Sequence, residues 1–101
     1  MILDFADTDT AHVFAQQRPK KFPPDILTRA LTKLRLLDAA ARLEDLRVPP
    51  GNRLEALHAD REGQHSIRIN DQWRICFVWQ AADAERRIVP GARYVQIVDY
   101  H

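Results

Sequence analysis

The chain has 101 residues, 46% hydrophobic and 29% charged, with 15 Lys and Arg against 14 Asp and Glu for a net charge of +1. That length holds one domain around one core and leaves no room for a linker. The charge balance excludes a polycation that coats nucleic acid indiscriminately, and the richest apolar stretch, Ile75–Trp79, falls far short of the ~20 residues that span a bilayer.

Met1–Asp7 lacks the basic and apolar regions of an export signal, and the single cysteine, Cys76, has no partner in the chain. A cytoplasmic protein without a disulfide or zinc cluster is the expectation. Twelve of the fifteen basic residues are arginines, whose planar fork suits phosphate and carboxylate better than the point charge of lysine.

Met1–Phe5 alternates enough to start a strand, and Asp7-Thr8-Asp9-Thr10 offers N-caps for a short helix through Gln17. Arg18-Pro19-Lys20-Lys21 breaks that helix, and Pro23-Pro24 starts the next. From Asp25 to about Ala41 the apolar Leu27, Ala30, Leu31, Leu34, Leu37 and Ala41 recur every three or four residues, the spacing of one helical face. Thr28, Arg29, Thr32, Lys33, Arg35 and Asp38 on the opposite face read as solvated surface. A short turn follows over Leu43–Leu46 and is stopped by Pro49-Pro50-Gly51.

After Gly51 the period falls to two. Arg53–Leu57 reads as a strand, and His65–Ile69 with Trp73–Trp79 as a hairpin around Asn70-Asp71-Gln72. That loop sets Ile69 against Trp73, Ile67 against Ile75 and His65 against Phe77, so apolar partners meet on one face. The other face then carries Arg68 opposite Arg74 and Ser66 opposite Cys76. Like charges across a strand pair destabilise it unless an anion lies between or above them. A two-residue loop would instead set Ile67 against Arg74 and mix polar with apolar. Asp83–Pro90 reads as a long exposed hairpin loop, and Tyr94–Tyr100 as the last strand.

The chain has no dinucleotide or P-loop glycine pattern, no HExxH and no nucleophile elbow. What remains is a polar set on strands and at their ends: Arg68, Arg74, Asp99, Tyr100, His101 and His58. Such side chains suit acid–base chemistry at a phosphodiester. RNA supplies its own nucleophile in the ribose 2′-hydroxyl, so a base, arginines for the growing phosphoryl charge and an acid for the departing 5′ oxygen suffice. Beside this reading, Tyr100 serves equally as a ring over the core, Cys76 as a small packed residue, and Trp73 and Trp79 as core. His12 and His65 are unremarkable.

Leu36-Leu37-Asp38-Ala39-Ala40, Leu43-Glu44-Asp45-Leu46, Pro50-Gly51-Asn52-Arg53-Leu54-Glu55-Ala56-Leu57, the run Asp60–Ile75 with Trp73-Arg74-Ile75, and the final Val98-Asp99-Tyr100-His101 together resemble the HigB-like toxins of the RelE superfamily. The resemblance spans nearly the whole chain. It implies an α+β domain with N-terminal helices packed on a small, twisted, mostly antiparallel β-sheet, in agreement with the elements above. It also implies the toxin of a type II toxin–antitoxin pair, a ribosome-dependent endoribonuclease that cuts mRNA in the A site. Neither metal nor cofactor is expected.

The implied partners are the ribosome with its mRNA and a HigA-like helix-turn-helix antitoxin, through which alone the toxin would meet operator DNA. The resemblance points to Arg74 for the scissile phosphate and to Asp99, Tyr100 and His101 as the catalytic group. Arg53, Arg61 and Arg68 fall in the matched segments as substrate-binding candidates. Many members carry a His and a Lys where this chain has Glu55 and His58, so His58 is the candidate replacement acid or base. Arg86, Arg87 and Arg93, in or beside the long loop, are candidates for ribosomal RNA contact, with plain solubilisation the alternative. Two other functions stay open: a toxin that acts by binding a target such as gyrase, and a weakened toxin kept for antitoxin binding and autoregulation.

Overall fold

The computed structural model describes residues 1–100. Helix α1 spans Thr8–Phe14 and α2 Pro24–Ala39; strands β1 (Glu55–Ala56), β2 (His65–Arg68), β3 (Trp73–Gln80) and β4 (Gly91–Asp99) form one antiparallel sheet in that order. Two 3-10 turns, Leu43–Arg47 and Pro50–Asn52, lead from α2 into the sheet, and a third, Ala59–Arg61, joins β1 to β2. This is the α+β arrangement expected from the sequence.

Asp7 caps α1 by accepting a hydrogen bond from the Thr10 amide at 3.2 Å, which satisfies one of the helix's free N–H groups. The helix ends at Phe14, three residues earlier than expected, and Gln16 turns the chain through a left-handed φ of 66°. Pro24 opens α2, where its missing N–H costs nothing. The buried face of α2 is Ile26, Leu27, Ala30, Leu34 and Leu37; Leu31 is half-buried. Ala41 is exposed and Ala40 takes its place in the core, because Ala40 leaves the helix with extended φ and ψ of −68° and 129° and the periodicity lapses there.

These helices pack on Ile67, Ile69, Ile75, Phe77, Ala92, Val95 and Ile97 of the sheet and its hairpin. Each large apolar side chain so buried contributes about 1.5–3 kcal/mol. Trp73 and Trp79 are only partly buried at the margin of this core. Phe22 meets Trp73 edge-on at 5.7 Å and closes one end of it.

The β2–β3 hairpin has the expected register: His65 opposite Phe77, Ser66 opposite Cys76, Ile67 opposite Ile75 and Arg68 opposite Arg74. Asn70 holds the turn, its side-chain oxygen accepting from the Gln72 and Trp73 amides at 2.9 and 2.8 Å. Two expected strands differ. Arg53–Leu57 pairs only at Glu55 and Ala56, since Arg53 has left-handed φ and ψ of 45° and 58° and cannot continue a strand. Met1–Phe5 makes two isolated parallel bridges to β4, at Ile2–Ala92 and Phe5–Val95.

That N-terminal segment covers the β4 edge, and the Ile97 amide beyond it donates to Thr10 Oγ1 at 3.0 Å. The last strand starts at Gly91, earlier than expected, so Arg93 belongs to β4 rather than to the loop. The loop from 81 to 90 is largely exposed and pinched by an Asp83–Ile88 bridge. Among the described residues no helix is long and apolar enough to cross a membrane.

Candidate functional site

The strand alternation that turns Ile75 and Phe77 toward the helices turns Arg74 and Cys76 to the opposite face of the sheet. There the register aligns Glu55, Ser66, Cys76 and Gln96 in one row and Arg68, Arg74 and Val98 in the next. Tyr100, one step past Val98 on the same side, lays its ring 5.9 Å from the Arg74 guanidinium carbon.

Arg74 is 8% exposed, and a buried cation needs partners for its donors. Its Nε donates to Ser66 Oγ at 2.7 Å and its Nη2 to the Arg53 carbonyl at 2.6 Å, with the Ser66 carbonyl at 3.5 Å. The Glu55 carboxylate stands 4.0 Å from Nη2 and is half exposed. Nη1 has no hydrogen-bond partner among the described residues. The left-handed conformation of Arg53 is what aims its carbonyl at Arg74, so a strained backbone residue holds the buried guanidinium.

The like-charge conflict across β2 and β3 is resolved by separation. Arg74 turns into the sheet face toward Ser66 and Arg53, while Arg68 turns outward and pairs with Asp71 of the hairpin loop. Arg61, from the turn before β2, donates to Gln64 at 3.1 Å and Gln96 at 3.4 Å and so bridges the far side of the same face. Cys76 is fully buried in the sheet beneath, and that burial pushes its thiol up despite Arg61 and Arg74 nearby. It packs as a small apolar group and offers no nucleophile.

At the end of the last strand, Asp99 accepts from Gln72 Nε2 at 3.2 Å and the Tyr100 amide donates to the Gln72 carbonyl at 2.5 Å. The hairpin loop thereby holds residues 99 and 100 at the end of β4, with the Tyr100 ring beside Arg74. Tyr100 keeps 43% of its surface exposed, so its ring faces solvent beside the buried Arg74 guanidinium. His101 lies outside the described residues. His58 is exposed ahead of the Ala59–Arg61 turn and makes no hydrogen bond or ion pair to Arg74 or Tyr100 among the described residues.

The structure therefore brings Arg74 and Tyr100 together, with Arg68 and Arg61 flanking them, while Asp99 lies in the adjacent row opposite Trp73. Arg53 contributes its carbonyl to this group, and its side chain is directed to solvent. Ser66 was not singled out by the sequence reading, although the hairpin register already put it beside Arg74. Among the described residues no three His, Cys, Asp or Glu side chains converge as a metal ion would need.

With this geometry in view, residues 3–100 match the family model for the RelE-like toxin HigB of type II toxin–antitoxin systems. The chain belongs to the HigB-like toxin family. It is 40% identical to toxin HigB-1 of Vibrio cholerae serotype O1 over 80 residues, 78% of this chain and 84% of that one. An uncharacterized protein of Haemophilus influenzae is 33% identical over 60 residues, 59% of each chain. The HigB-like assignment makes the protein a toxin of a type II system, a class defined by an antitoxin partner, and the family's members are generally endoribonucleases.

Proposed function

We propose that this HigB-like toxin is a ribosome-dependent endoribonuclease that cleaves translated mRNA in the A site. The observation that supports it most is Arg74: a buried guanidinium fixed by Ser66 and the Arg53 carbonyl, with no partner for Nη1 among the described residues and an exposed aromatic ring alongside. Pre-oriented donors of this kind stabilise charge as it develops on a phosphoryl group, without reorganisation at the moment of reaction. The Tyr100 ring gives a neighbouring base a surface to stack on.

In this reading the 2′-oxygen attacks the adjacent phosphorus, Arg74 with help from Arg68 holds the phosphoryl oxygens, and Asp99, Tyr100, His101 and His58 share proton transfer and orientation. Arg61 and Arg53 contribute positive charge along the RNA backbone. The toxin acts in the cytoplasm, and its antitoxin is a HigA-like helix-turn-helix protein that links it to operator DNA. Primer extension on translated mRNA tests the reading. Cuts in the A-site codon are expected with the wild-type protein and none with Arg74→Ala; equal cutting by both would overturn it, and growth arrest without any cutting would point to a toxin that acts by binding.

A further inference from the structure

We infer that Glu55 is the general base of this site, taking the proton from the ribose 2′-hydroxyl at the phosphate that Arg74 holds. The inference rests on the nuclease reading above and names the residue that starts the reaction. The 2′-oxygen and the scissile phosphorus belong to one nucleotide and must close to about 3–3.5 Å to react. A base for that hydroxyl must therefore stand within a few ångströms of the cation that binds the phosphate. On the described face of the sheet Glu55 meets this condition: Oε2 is 4.0 Å from Arg74 Nη2, and the side chain is 53% exposed.

The surroundings of Glu55 suit a proton acceptor. Its cross-strand neighbour Ser66 is neutral, the cation facing it is Arg74 from β3, and Arg53 and His58 flank it along its own segment. Arg74 is committed to Ser66 and Arg53 by short hydrogen bonds and holds its place without the carboxylate, so Glu55 is free to engage a ligand. Asp99 accepts from Gln72 and sits in the strand row of Trp73, one step round from the Arg74 face.

The step balances without a co-reactant. The 2′-hydroxyl proton passes to a Glu55 oxygen, the O2′–P bond forms and the P–O5′ bond breaks. The products are a 2′,3′-cyclic phosphate and a 5′-oxygen that takes a proton from the group at residues 99–101. Glu55 then returns its proton to water.

The test is single-turnover cleavage on programmed ribosomes, at saturating toxin and across pH, for wild type, Glu55→Gln and Glu55→His. Glu55→Gln keeps the shape and removes the base, so the maximal rate is expected to fall about 100-fold or more with half-saturation little changed. Glu55→His is expected to recover much of that loss and to move the acid limb of the profile to higher pH, since an imidazole takes up its proton at higher pH than a carboxylate. Unchanged antitoxin binding by the variants shows that both are folded. If Glu55→Gln cleaves as fast as wild type, or faster because a repulsive charge is gone, the assignment to Glu55 is wrong while the nuclease reading stands. If wild type itself leaves the mRNA intact, both fall.

Discussion

Ser66→Ala isolates the brace on Arg74. The substitution deletes a single hydroxyl from a fully buried strand position, leaving the Arg74 Nε–H, 2.7 Å from that oxygen in the wild type, without an acceptor. The Arg53 carbonyl at 2.6 Å still binds Nη2, so the guanidinium stays inside, held at one end only. A hydrogen bond to a charged group is worth about 1.5–3 kcal/mol, so the expected loss of stability is about 2 kcal/mol. For a domain of this length that is a fall in Tm of about 8–16 °C, and in urea a lower midpoint with unchanged slope. The loss should depend on Arg74: in an Arg74→Met background, where the buried charge is already gone, Ser66→Ala should cost less than about 0.5 kcal/mol. The cleavage rate of the single variant should fall by about 100-fold, the usual result of an ångström-scale misplacement. A single variant within 0.5 kcal/mol of wild type with undiminished cleavage would refute the argument that Ser66 positions Arg74.

Arg74→Met itself should cost about 1–3 kcal/mol, since the buried Ser66 hydroxyl and the Arg53 carbonyl lose their donor, while cleavage disappears; a melt and a cleavage assay on one preparation check both. Gly91→Ala would drive its Cβ to 2.6 Å from the Met1 carbonyl and 2.8 Å from Leu3 Cγ, so a loss of about 1–3 kcal/mol and faster amide exchange at Leu3 are expected. Burial holds the His65 imidazole below its ordinary value, so on acidification the unfolded chain takes up that proton first. The contribution is complete above the ordinary imidazole range and is lost as pH falls toward the lower folded-state value; urea midpoints between about pH 7.5 and 5.5 should fall less in His65→Leu than in wild type. Fusing a tag after His101 should impair cleavage more than one before Met1, and equal toxicity of the two forms would remove the final residues from the site.

The parts of this molecule that were legible in advance are those governed by local period and turn chemistry. The β2–β3 hairpin could be registered because Asn70 pins the turn and a one-residue slip would put Ile67 against Arg74. The heart of α2 was legible for the same kind of reason, but its end was not, because Ala40 leaves the helix and moves the buried position by one. Strand β1 shrank to two residues on account of a left-handed Arg53, a conformation that side-chain patterning does not announce. At the candidate site, Arg74, Asp99 and Tyr100 could be singled out from their residue types alone. The brace could not, because one half is a serine hydroxyl and the other a backbone carbonyl 21 positions earlier in the chain. The expected clash of Arg68 with Arg74 was read correctly as a problem, and Asp71, the anion that takes Arg68, stands in the turn itself.

The most direct test is to place a single 2′-deoxynucleotide immediately 5′ of the phosphate cleaved in an otherwise ordinary mRNA and present it to the toxin in the ribosomal A site. If Arg74 grips that phosphate while the ribose supplies the attacking oxygen, the toxin still binds the programmed ribosome, and cleavage at that bond is abolished while a neighbouring all-ribose message is cut. Cleavage of the deoxy-substituted bond at the ordinary rate would contradict the mechanism at its root.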